Sequence, residues 1–227
     1  AMTIVGSFSV VYNLTHAMRQ RQDTRGPSWG PALAGIGASL LVAVLGNLGG
    51  GIQLIRRLWS NLTSSLPPEG DAFHVWFWVS SRMIPDQNSI PEFPAWSFLF
   101  GDLHAHMMVI PFTLLVISLG LSLVAGFRQG GKLWTGAALL TLSLALGALW
   151  VINSWDYPSY LALVAALVVL AVYFRAGTWR GALLWGAPLL GLVTAVSILA
   201  FLPFHQVYET FDAGIAASKW RTPFDRY

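Results

Sequence analysis

The sequence predicts an all-α protein: a polytopic transmembrane helical bundle of about five or six spans, with one long extracytoplasmic loop bearing interfacial helices. Three observations predict it. Of 227 residues, 55% are hydrophobic and 10% charged, and the mean hydropathy is +0.60; soluble domains run near roughly 25% charged. The apolar residues fall in runs of roughly 17 to 25, the length a helix needs to cross a bilayer. Those runs hold almost no charge, which places the chain in the membrane and argues against a transporter built on mid-membrane charges. Cysteine is absent, which excludes disulfide and thiolate chemistry. The net charge of +3 is scattered over helix ends rather than gathered in a stripe, so no nucleic-acid partner is expected.

The first expected span covers 1–17, followed by Arg19, Arg21 and Arg25 and a turn at Gly26-Pro27-Ser28. A second covers 31–55 and contains Gly46, Gly49, Gly50 and Gly51, small residues that let helices approach closely in lipid. The loop 58–103 comes next. Its segment Phe73-His74-Val75-Trp76-Phe77-Trp78-Val79 is dense in aromatics, which favour the membrane interface. Pro85, Pro91 and Pro94 argue against a long helix through its second half. Four further spans are expected over 107–127, 133–152, 158–174 and 182–204, with Pro111 and Pro188 inside them as possible kinks. No internal repeat is evident, and the abrupt ends suggest a portion of a longer chain forming a single membrane domain.

Orientation follows from the basic residues. Alternate short connectors hold Arg19, Arg21 and Arg25, then Arg128 and Lys132, then Arg175 and Arg180, which the positive-inside rule turns toward the cytoplasm. Arg56, Arg57, Arg82, Lys219, Arg221 and Arg226 are spread over the longer outer segments. With that topology nine of the ten acidic residues, all but Asp23, fall outside, as do His74, His104, His106 and His205. Acids obey no strong topological rule of their own, so their pooling points to a polar site on the outer face. Longer outer loops would also collect polar residues of every type.

The densest stretch is Gly101-Asp102-Leu103-His104-Ala105-His106, at the point where the loop becomes an apolar run. If it is helical, Asp102 and His106 share a face; if it is extended, His104 and His106 do. Asp102, His104 and His106 suit a divalent metal such as Mg or Mn, general-base work, or phosphate binding through a protonated imidazole. The plainer reading is that Asp102 caps the helix that follows, which leaves both histidines unexplained. Asp156, in the turn Asn153-Ser154-Trp155-Asp156-Tyr157-Pro158, occupies the equivalent place one hairpin later and could equally serve as a cap. Arg82 and Glu92 could supply a phosphate clamp and a second carboxylate, or pair with each other to hold the loop. Arg221 in the tail is a further phosphate candidate, and His205 a weaker one.

Together Ser80-Ser81-Arg82-Met83-Ile84-Pro85, Glu92-Phe93-Pro94-Ala95-Trp96-Ser97-Phe98-Leu99-Phe100, Gly101 to His106, Pro111-Phe112-Thr113-Leu114-Leu115 and the turn 153–158 resemble the Chlor_Arch_YYY family of large, functionally uncharacterised membrane proteins. The likeness runs from about Gly46 onward. That family's layout is in turn similar to the GT-C glycosyltransferases: a span, a long outer loop, two spans, then a short outer turn with a second acidic motif. Asp102 departs from the pattern by standing late in the loop rather than soon after the first span. The resemblance implies transfer of a sugar from a polyprenyl-phosphate carrier at the outer face, with membrane lipid as a partner. Asp102 would be base or metal ligand, His104 and His106 would bind metal or donor phosphate, Arg82 and Arg221 would meet phosphate, and Glu92 and Asp156 would orient acceptor or metal. The competing expectation is a non-enzymatic accessory subunit packed in a larger membrane complex.

Overall fold

The computed structural model describes residues 1–22, 29–45, 48–63, 93–101, 103–127 and 130–209, and every described element is helical. The loop 64–92, with its aromatic segment and Arg82 and Glu92, lies outside the described residues, as do the turn 26–28, Asp102 and the tail with Arg221. The chain divides into two compact units, 1–35 with 104–209 and 36–103 with 210–227.

In the first unit α1 spans Met2–Gln22. Its second half carries Asn13, His16, Arg19 and Gln20, so it is long enough for a span but too polar to rank with the four helical stretches that are both long and apolar enough to cross a membrane. Those four are α5 (Ala105–Met108) continuing into α6 (Ile110–Gly126), α7 (Lys132–Ile152), α8 (Asp156–Ala176) and α9 (Trp179–Leu199). The chain is an integral membrane protein of helical class.

The break between α5 and α6 falls at Val109, two residues before Pro111, which can neither donate to the carbonyl one turn back nor leave its ring clear of it. Pro188 is taken into α9 without ending it. The apolar run continues past Leu199, but the helix does not: Pro203 enters a new short helix, α10 (Leu202–Val207), after a turn at Ala200 and Phe201.

Short connectors between long helices force antiparallel neighbours. Accordingly α6 packs on α7 and α8, and α9 on α7 and α8, while α1 lies along α6. One apolar core joins Val116, Leu123, Leu142, Leu146, Leu149, Val164, Val168, Val172 and Val193. Only 22–33% of each span is buried, and Leu183, Leu184, Trp185 and Leu192 stand exposed. In water so much apolar surface would aggregate; in acyl chains it is the expected exterior.

The second unit holds the end of α2 (Gly30–Leu40), a π-helical turn over Leu41–Leu45, α3 (Leu48–Thr63) and α4 (Pro94–Phe100). The stretch 31–55 is therefore helical in pieces, and its last piece runs on to Thr63. Pro94 sits in the first turn of α4, where a missing N–H costs nothing. Gly101 closes that helix at φ 64°, a left-handed position suited to glycine. Phe93, Ala95 and Trp96 form a small buried cluster, and α4 packs on the π-helical turn.

Candidate functional site

The antiparallel order of the first unit decides which polar residues meet. The start of α5, the α7–α8 turn and the segment after α9 all lie at the same end of the bundle, and α5 touches α7 there. This end carries His104, His106, Asn153, Asp156 and His205, with Glu209 following α10. Asp156 and Glu209 are the two side-chain carboxylates among the described residues.

His104 has extended geometry (φ −66°, ψ 149°) and stands at the N-cap of α5 without a side-chain capping bond. The transition from extended to helical backbone thus falls between the two histidines, so neither geometry expected from sequence holds throughout. His104 is exposed and His106 half-buried, and their ring centroids are 5.5 Å apart at 35°. Two imidazoles on one ion, with metal–nitrogen bonds of about 2.1 Å, put their centroids roughly 5–6 Å apart. That separation is also the ordinary distance of a side-by-side ring contact. No group of three metal-binding side chains occurs among the described residues, and the expected third ligand, Asp102, lies outside them.

Asp156 is the first residue of α8, half-buried, where a carboxylate also suits the positive end of the helix dipole. The Asn153 side-chain amide donates to Asp156 Oδ2 at 2.9 Å, and the Asp156 N–H donates to the Asn153 carbonyl at 3.0 Å. These bonds fix one carboxylate oxygen and stiffen the turn.

Beside this turn is a cluster of which sequence reasoning singled out only His205. Ser197 Oγ donates to the Thr194 carbonyl at 2.8 Å. A hydroxyl has one proton, so the buried Tyr157 hydroxyl must be the donor in its 2.8 Å bond to Ser197 Oγ. The Trp150 ring packs on Tyr157 (centroids 4.6 Å) and edge-on to His205 (4.8 Å). His205 Nε2 is buried and makes no hydrogen bond. A buried polar atom without a partner is costly, so this imidazole stands out from the apolar surroundings of α10. Tyr157 does adjoin Asp156 in the turn motif, but Ser197 is one hydroxyl in an apolar span forty residues away, and nothing local in the sequence pairs them.

Below the polar end an apolar groove of about 500 Å³ runs between the facing halves of α6 and α7, lined by Phe112, Leu115, Leu144, Ala148, Ile152 and Phe201. The Phe201 ring also packs over Gly147, where any side chain would collide with it and with the Ser197 carbonyl oxygen. The apolar groove thus lies next to the end of the bundle that carries the imidazoles and Asp156.

No curated protein and no solved structure matches the chain. A family model matches all of residues 1–227, and its description agrees with the bundle of apolar spans: the chain belongs to the family Uncharacterized membrane protein (DUF2298).

Proposed function

We propose that the chain is part of a GT-C-like membrane glycosyltransferase that uses a polyprenyl-phosphate-linked sugar at the outer membrane face. The observation that supports this reading is the presence of His104, His106, Asp156 and His205 at one end of the bundle, next to an apolar groove that the isoprenoid chain would occupy. The motif likeness to the Chlor_Arch_YYY proteins, and through them to the GT-C layout, supports it.

In this reading Asp102 takes the proton of the acceptor hydroxyl. The acceptor oxygen then attacks the anomeric carbon, and the carbon–oxygen bond to the polyprenyl phosphate breaks with its electron pair passing to phosphate. Arg82 and Arg221 neutralise that leaving group, and Glu92 and Asp156 orient the acceptor. His104 and His106 would hold a divalent cation supplying charge stabilisation at phosphate, with Asp102 as a ligand only in the alternative in which it is not the base. Two imidazole ligands favour Mn over Mg, which prefers oxygen. The outer face is the non-cytoplasmic one by the charge bias of the short connectors.

The test is transfer from a lipid-linked sugar by the full-length protein. Asp102→Asn should reduce turnover by about 10²-fold or more and leave donor binding intact. Unchanged turnover refutes the base assignment, and a stoichiometric protein partner with no lipid-linked substrate would favour the accessory-subunit reading instead.

A further inference from the structure

The opposite end of the same bundle is built differently. An apolar groove of about 720 Å³ opens there, lined by Phe127, Val172, Pro188, Leu189 and Trp185 together with Arg175. That volume falls within the range of small-molecule sites. Arg175 is exposed in the last turn of α8, and its guanidinium carbon stands 5.6 Å from the centre of the Phe127 ring. The guanidinium stands over the ring, and Arg175 makes no hydrogen bond or ion pair among the described residues.

Two more cations share this end. Lys132 opens α7 and Arg180 lies in the first turn of α9, both exposed. The described carboxylates, Asp156 and Glu209, belong to the other end. A cation at a helix C-terminus also suits the dipole, but the dipole does not account for a ligand-sized apolar groove beneath that cation.

We propose that this groove is a binding site for an anionic glycerophospholipid, with one acyl chain along Val172, Pro188 and Leu189 and the phosphate-bearing headgroup at Arg175. Charge complementarity selects the occupant: among the described residues beside the groove, Lys132, Arg175 and Arg180 are met by no carboxylate, which favours a net negative headgroup. The charge bias that turns this end toward the cytoplasm also turns it toward the leaflet richer in anionic lipid. The proposal is independent of the transferase reading and concerns the other end of the helices.

Native mass spectrometry of the intact full-length protein, titrated with phosphatidylglycerol or phosphatidylcholine of identical acyl chains, tests it. The wild type should retain phosphatidylglycerol preferentially. Arg175→Gln should lower that preference about tenfold, the effect of one charge-assisted contact, while Arg175→Lys keeps most of it and so separates loss of charge from misfolding. Leu189→Trp, which fills the groove, should weaken retention of both lipids. Equal retention of the two lipids by the wild type, an unchanged preference in Arg175→Gln, or displacement by glycerol 3-phosphate at equal concentration would overturn the proposal.

Discussion

The Tyr157–Ser197 pair shows how a single proton count sets the consequences of substitution. Removing the tyrosine hydroxyl leaves Ser197 still bonded to the Thr194 carbonyl, so Tyr157→Phe should cost about 1 kcal/mol. Ser197→Ala instead strands a buried phenolic donor and should cost about 1–3 kcal/mol, the larger of the two. Thermal unfolding of both variants in the same detergent checks the order; a larger drop for Tyr157→Phe would show that the tyrosine is the acceptor. Asp156 is held in the same manner: the Asn153 amide donates to one of its carboxylate oxygens. His205 was a weak candidate from sequence because nothing around it in the tail is polar in a telling pattern. Its significance comes from Trp150, on a different helix, and from the buried nitrogen that results.

Among the elements, α7 and α9 approach closely at Gly147. A side chain at Gly147 would overlap the Ser197 backbone oxygen and lie 2.6 Å from the Phe201 ring, and backbone cannot swing aside as the Leu167 side chain facing Gly120 can. Gly147→Ala should therefore push the two helices apart at a cost of about 1–3 kcal/mol. Gly136, on the same helix, has open space around it, and Gly136→Ala should be tolerated. The two variants differ in position alone, so comparing their midpoints of thermal unfolding isolates the packing effect. The spans expected over 133–152 and 158–174 lie within the helices Lys132–Ile152 and Asp156–Ala176, whereas the span expected over 182–204 begins three residues after its helix does. Helix boundaries were not legible where the run continued through a break. Residues 200–203 are apolar throughout, and only Pro203 hints that α9 has ended; the π-helical turn over Leu41–Leu45 has no signal in hydropathy at all.

Across the whole molecule, the fold class followed from hydropathy because lipid imposes one rule on every residue of a span. Which side chains meet at the polar end depended on pairing of helices, which hydropathy does not encode. The separation of charge between the two ends of the bundle gives the corresponding prediction. The chain has no cysteine, so single replacements report cleanly. Ser154→Cys, in the exposed α7–α8 turn, should react with a membrane-impermeant maleimide added to intact cells. Arg180→Cys, at the exposed start of α9, should react only after permeabilisation. Labelling of both from one side would refute the antiparallel passage of α8 through the membrane.

The bond between Tyr157 and Ser197 spans forty residues of chain. During synthesis at about 5–20 residues per second, its two ends emerge some 2–8 s apart. For that interval the tyrosine hydroxyl has only water or the insertion machinery as a partner, so the buried bond closes when α9 joins α8. A chain halted before α9 keeps an unsatisfied phenol on α8.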